Sequence, residues 1–67
     1  MAVLKVIELL ANSTKSWEDA TQGAVKHASK SLRNIRSVNV TNFSAVVDKK
    51  SKITEYRVNV NISFEVE

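Results

Sequence analysis

The 67-residue chain contains no cysteine, which excludes disulfide staples and thiolate metal sites. It has one histidine, so a multi-histidine zinc site within one chain is excluded as well. No apolar run is long enough to span a bilayer. Val3 to Leu10 comes nearest, but Lys5 and Glu8 interrupt it and the layout of a signal peptide is missing. A cytoplasmic location without membrane contact is expected. On that expectation the Asn-x-Ser/Thr triplets at Asn12, Asn39, Asn42 and Asn61 are chance matches. Charge of one sign is also scarce: the net charge of +3 only weakly permits an anionic partner, such as a phosphate-bearing ligand or nucleic acid, and a plain soluble surface with a small charge excess is the reading preferred. A chain this short makes one domain, residues 1–67, and buries only about 60% of the surface it exposes when unfolded. Domains of this size lean on disulfides, metals or self-association. With the first two curtailed, oligomerisation is the staple that remains.

What is present is strong patterning. Val3 to Leu10 is rich in Val, Ile and Leu and reads as a first strand, followed by a polar loop from Ala11 to Lys15. Ser16 opens a helix, its hydroxyl placed to accept from the backbone N–H of Asp19. Glu18 and Asp19 suit the positive end of the helix dipole, and Lys26, Lys30 and Arg33 the negative end. Trp17, Ala20, Ala24, Ala28 and Leu32, with Val25, form one apolar stripe at helical spacing. Its small alanines let a helix lie close to a sheet. Gly23 costs about 1 kcal/mol relative to Ala in a helix interior and leaves room for close backbone approach.

Ile35 to Val47 reads as a second strand. Val38 and Val40 share one parity and Phe43, Ala45 and Val47 the other, so a β-bulge is expected at Thr41-Asn42. Asp48 to Lys52 is a charged turn. From Ile53 to Val66, Tyr56, Val58, Val60, Ile62, Phe64 and Val66 alternate with Glu55, Arg57, Asn59, Asn61, Ser63 and Glu65, a period-two strand with an apolar face for the helix.

The fold class expected is α+β, a β-α-β-β unit. The helical crossover makes the first two strands parallel, and the short turn makes the third antiparallel to the second. The third can pair outside the second or slot between the other two. The slot gives a fully antiparallel sheet in order 1-3-2 and is the order expected. One helix leaves the polar face uncovered and both sheet edges unpaired. The Asn, Ser and Thr of that face suit either hydrogen bonding across an interface or solvent.

Catalytic chemistry finds little footing. His27 stands among Lys26 and Lys30 on the polar side of the helix, Ser16 is accounted for as a cap, and Glu55, Glu65 and Glu67 are spaced as on any polar strand face. Carboxylates pooled across a symmetry axis could hold a hard cation. A nucleic-acid stacking platform is not expected, because Tyr56 and Phe64 share the helix-facing side. Trp17 at the helix start reads as a packing anchor, with ligand stacking the alternative.

The opening Val-Leu-Lys-Val-Ile-Glu-Leu-Leu, the segments Ser16-Trp17-Glu18-Asp19-Ala20 and Leu32-Arg33-Asn34-Ile35, and the close Glu55-Tyr56-Arg57-Val58 through Ile62-Ser63-Phe64 resemble the dodecin family across nearly the whole chain. The resemblance implies a sheet partly wrapped around the helix, a hollow homododecamer of cubic-type symmetry, and flavin binding (riboflavin or FMN) for storage and quenching. It implies flavins paired at a two-fold axis, sandwiched by a tryptophan from each subunit, with a glutamine on the last strand bound to the ring. This chain has Ser37 where that tryptophan belongs and Arg57 where that glutamine belongs; Trp17 aligns with an aromatic at the helix start. The expected function is non-enzymatic flavin sequestration with Ser37 and Arg57 lining the altered site. A shell that holds another ligand or a cation, or that is purely structural, is the alternative.

Overall fold

Among the described residues, fully buried bulk is confined to three side chains, Val58, Val60 and Ile62, alternate residues of one strand. That strand, β3 (Ile53–Glu65), is the centre of a three-stranded sheet. β1 (Leu4–Ser13) and β2 (Ile35–Val47) flank it, both antiparallel to it, in the order β1-β3-β2. The single helix α1 (Trp17–Ala28) lies on the face bearing these three residues and touches all three strands. Ala20, Ala24 and Ala28 complete the core, so small side chains do let the helix settle on the sheet. The computed structural model describes residues 2–66; the expectation for Glu67 lies outside them.

The capping arrangement forms. Ser16 has an extended backbone and its Oγ accepts from the Asp19 N–H at 2.9 Å. Asp19 in turn accepts from the Ser13 hydroxyl at 2.6 Å, tying the helix start to the end of β1. The helix stops at Ala28, earlier than the charge pattern suggests. The N–H groups of both Ser31 and Leu32 converge on the Ala28 carbonyl, at 3.1 and 2.9 Å, and close the last turn. Asn34, at φ 61, then swings the chain into β2, a left-handed conformation that Asn tolerates better than most residues. Lys30 and Arg33 therefore lie past the helix, while Leu32 still packs on the core.

Two further expectations need correction. The polar segment Ala11 to Ser13 is strand: Ala11, Asn12 and Ser13 pair with Val58, Arg57 and Tyr56. Cross-strand pairing to the long β3 overrides weak local strand preference. Gly23 is no site of close approach within the chain, because a Cβ built there meets nothing within 4 Å.

The bulge falls where the parity changes. Val40 pairs with Val60 and Asn42 with Asn59, so Thr41 is the extra residue, and its hydroxyl donates to the Asn59 carbonyl at 3.1 Å. A one-residue insertion turns the rest of the strand over, which keeps Val38 and Val40 on the helix side before it and Phe43 and Ala45 after it. The charged turn is organised by Asp48, whose Oδ1 accepts from the N–H groups of Lys50 and Lys52 at 2.8 and 3.1 Å. Ser51 takes φ 63 at its tip.

Candidate ligand-binding face

The sheet has a second face, turned away from α1, and no element among the described residues covers it. Its side chains follow from the registers. β3 supplies Glu55, Arg57, Asn59, Asn61, Ser63 and Glu65. β1 supplies the even-numbered residues from Leu4 to Asn12, and β2 supplies Ser37, Asn39, Asn42 and Ser44. Rows form across the three strands: Val6–Ser63–Ser37, Glu8–Asn61–Asn39, Leu10–Asn59–Asn42 and Asn12–Arg57–Ser44. Hydroxyls and amides predominate on β2 and β3. The β1 margin is different, with Leu4 49%, Val6 61% and Leu10 62% exposed. The alternation of β3 by itself does not show this mixed character. The signal was there in β1, where the even positions carry Leu, Val and Glu while Ile7, Leu9 and Ala11 pack on the core.

Ser37 and Arg57 both fall on this face and both are exposed. A register slip between Ile35 and Ser37 seats Ser37 opposite Ser63, and their hydroxyls share a hydrogen bond. Arg57 lies in the row between Asn12 and Ser44. Their β3 levels, 63 and 57, are six positions apart, about 20 Å along a strand. One chain does not bring the two residues together. Any site that uses both takes them from different copies.

Trp17 belongs to the other face. Its indole N–H donates to the Ser44 carbonyl at 2.9 Å. Its ring meets Tyr56 edge-on at 4.9 Å and 75°, and Phe43 at 6.0 Å and 86°. That is the geometry of an anchor between helix, β2 and β3, and it keeps Tyr56 off the open face. His27 is exposed beside a groove of about 480 Å³ between α1 and β1, with Asn12 and Gly23 on the same lining.

The carboxylates are dispersed. Glu55 accepts from the Asn12 side-chain amide. Glu65 pairs with Arg36, its Oε1 3.0 Å from Nη2 and 3.1 Å from Nε. Among the described residues no three His, Cys, Asp or Glu side chains cluster closely enough to hold a metal ion. Glu8 has Asn61 and Asn39 beside it in its row, three oxygen-bearing side chains in line. No helix among the described residues is long and apolar enough to cross a membrane.

One helix on a long three-stranded sheet, with the opposite face left open, is the build of a small binding protein. The chain belongs to the dodecin family, whose family model matches residues 3–67. It is 39% identical over 66 residues to the calcium dodecin of Mycobacterium tuberculosis, covering 98% of this chain and 92% of that protein. The crystal structure of that calcium dodecin superposes with a TM-score of 0.83 at 37% identity, over 97% of this chain and 91% of its own. A dodecin from Thermus thermophilus superposes with a TM-score of 0.91 at 28% identity, over 100% of this chain and 98% of the other. Dodecin from Streptomyces coelicolor shares the fold at a TM-score of 0.92 and 23% identity, over 98% and 93%.

Proposed function

We propose that this protein assembles into a hollow homododecamer that sequesters flavin on the open face of its sheets. The observation that carries the reading is the placement of Ser37 and Arg57, exposed on the same uncovered face yet far apart within one chain. Such a face makes a site when copies meet, with Ser37 of one copy and Arg57 of another at its margins. Without a tryptophan at position 37, each ring of a stacked pair loses an aromatic neighbour worth about 0.5–1.5 kcal/mol beyond area burial, so binding is weaker than in a sandwich. The shell acts by holding its ligand, with no catalytic step.

Two measurements test this. Light scattering on a size-exclusion column should give a mass near twelve times 7.5 kDa; a monomer or dimer mass removes the shell. Titration of FMN with purified protein should quench flavin fluorescence; unchanged fluorescence at micromolar protein removes the flavin.

A second reading has its own support. The 39% identical relative is named a calcium dodecin, and the row Glu8–Asn61–Asn39 carries oxygen donors of the type calcium uses. Calcium takes about six to eight oxygen ligands, more than one row supplies, so such a site also needs several copies. Calorimetric titration with calcium chloride distinguishes the two, since heat abolished by Glu8→Gln belongs to the cation reading alone.

A further inference from the structure

The helix sits off-centre on its sheet. α1 lies chiefly over β1 and β3 and touches β2 least, so the helix side of β2 is only partly covered. The gap is a groove of about 330 Å³, lined by Trp17, Val25, Val38, Val40 and the well-exposed Phe43. Thr21, also on the lining, spends its hydroxyl on the Trp17 carbonyl at 2.8 Å. Among the described residues Glu18 is the one charge on the lining, exposed and without an ion pair or side-chain hydrogen bond. Nothing in residues 2–66 fills this groove. The far end of the molecule carries its complement. Val3 and Val66, joined by a backbone hydrogen bond of 2.8 Å, are both well exposed there. Lys5 and Arg33 line a cleft beside Val66, and the carboxylate on that cleft, Glu65, is already held by Arg36. One end thus has an apolar pair flanked by unmatched cations, and the groove has apolar walls edged by an unmatched carboxylate. Trp17 stands against Tyr56, ten positions from Val66, about 33 Å along a strand. One chain cannot bring the two patches together.

A second copy of this chain is the occupant these features fit. The protomer exposes 5105 Å² where a compact monomer of its mass exposes about 4,250 Å², an excess close to the roughly 800 Å² that each partner buries in a standard interface. Patches that differ and lie far apart meet head-to-tail, and head-to-tail contacts close into rings. We infer that the groove between α1 and β2 is such a contact. The basic end of the next copy seats in it, Val3 and Val66 against Phe43 and Trp17, with Arg33 brought to Glu18. Resting on the shell reading above, this supplies what a two-fold contact at the open face lacks. A two-fold contact alone stops at a dimer, and a closed shell needs a second contact of another kind.

The test follows mass by light scattering on dilution, with urea added where dilution alone leaves the wild type assembled. Trp17 emission is read alongside, for the wild type, Glu18→Lys, Arg33→Glu and the double variant. Both side chains are exposed in the protomer, and circular dichroism checks that each variant folds. Each single variant should dissociate at a protein concentration about tenfold or more above that of the wild type, the scale of one charge-assisted contact. The double variant should return close to the wild type, and the differences should shrink as salt rises. Trp17 emission should shift to the blue on assembly, as the next copy covers the ring. General repulsion predicts otherwise, because Arg33→Glu lowers the net charge of +3 and would ease association. Single variants that assemble like the wild type, a double variant that stays dissociated, or emission that does not move on assembly each overturn the contact. The shell then stands, and the groove is left to a partner other than this chain. A wild-type mass well below twelve copies, with the variants responding as expected, removes the shell and keeps the contact. A wild type that stays monomeric removes both.

Discussion

Trp17 carries two kinds of contact at one position: an edge-on packing with Tyr56 and Phe43, and an N–H donated to the Ser44 carbonyl. Because that carbonyl lies on edge strand β2, the side chain ties the helix start to the strand that α1 touches least. Trp17→Ala should cost about 3 kcal/mol, at the low end for an aromatic truncation because the ring is half-buried. Urea denaturation at a fixed protein concentration reads this, and a loss below about 1 kcal/mol would show that the ring is not the anchor. The sequence showed the same residue as an aromatic at the helix start and left anchoring and stacking both open. Deciding between them took Ser44 and Phe43, which meet Trp17 only in three dimensions.

In the middle of β2 the faces turn on one inserted residue, Thr41. At Val38 and Val40 even positions of β2 face the helix; at Phe43 and Ala45 odd positions do. Deleting Thr41 restores a plain alternation. It should send Phe43 and Ala45 to the open face, or Val38 and Val40 if the slip runs the other way. Either outcome strips apolar cover from β3 and exposes surface. The expected result is a drop in stability of several kcal/mol together with a red shift of Trp17 emission, since the ring loses Phe43 and the Ser44 carbonyl. Unchanged emission would show that the bulge is dispensable. The bulge was readable in the sequence because valines and then Phe43, Ala45 and Val47 mark opposite parities. The end of β1 was not, because Ala11, Asn12 and Ser13 have no strand preference of their own and take their conformation from Val58, Arg57 and Tyr56 across the sheet.

As a whole molecule, one chain is a poor globule. Its radius of gyration is 13.7 Å, against about 10.9 Å for a compact domain of this length. It measures 51 × 20 × 13 Å. It exposes 5105 Å², where a compact monomer of its mass exposes about 4,250 Å². Among the described residues eight large apolar side chains are well exposed, Val6, Leu10 and Phe43 included. Stability must therefore come in large part from association, and the unfolding midpoint should rise with protein concentration by mass action. Differential scanning calorimetry over a hundredfold concentration range checks this. A midpoint independent of concentration, with monomeric mass, would mean that the lone chain is self-sufficient.

Period-two alternation in β3, helical spacing of the alanines and the parity change at Thr41 determined the elements and the face that takes the helix. Each is a local pattern whose meaning depends only on strand and helix geometry. The tertiary structure decided which polar groups satisfy one another. It paired Glu55 with Asn12 and Glu65 with Arg36, left Arg57 without a partner, and set Ser37 and Arg57 about 20 Å apart along the strand. Those outcomes depend on register between strands distant in the chain, where a step of one residue exchanges every neighbour, and no local spacing encodes it.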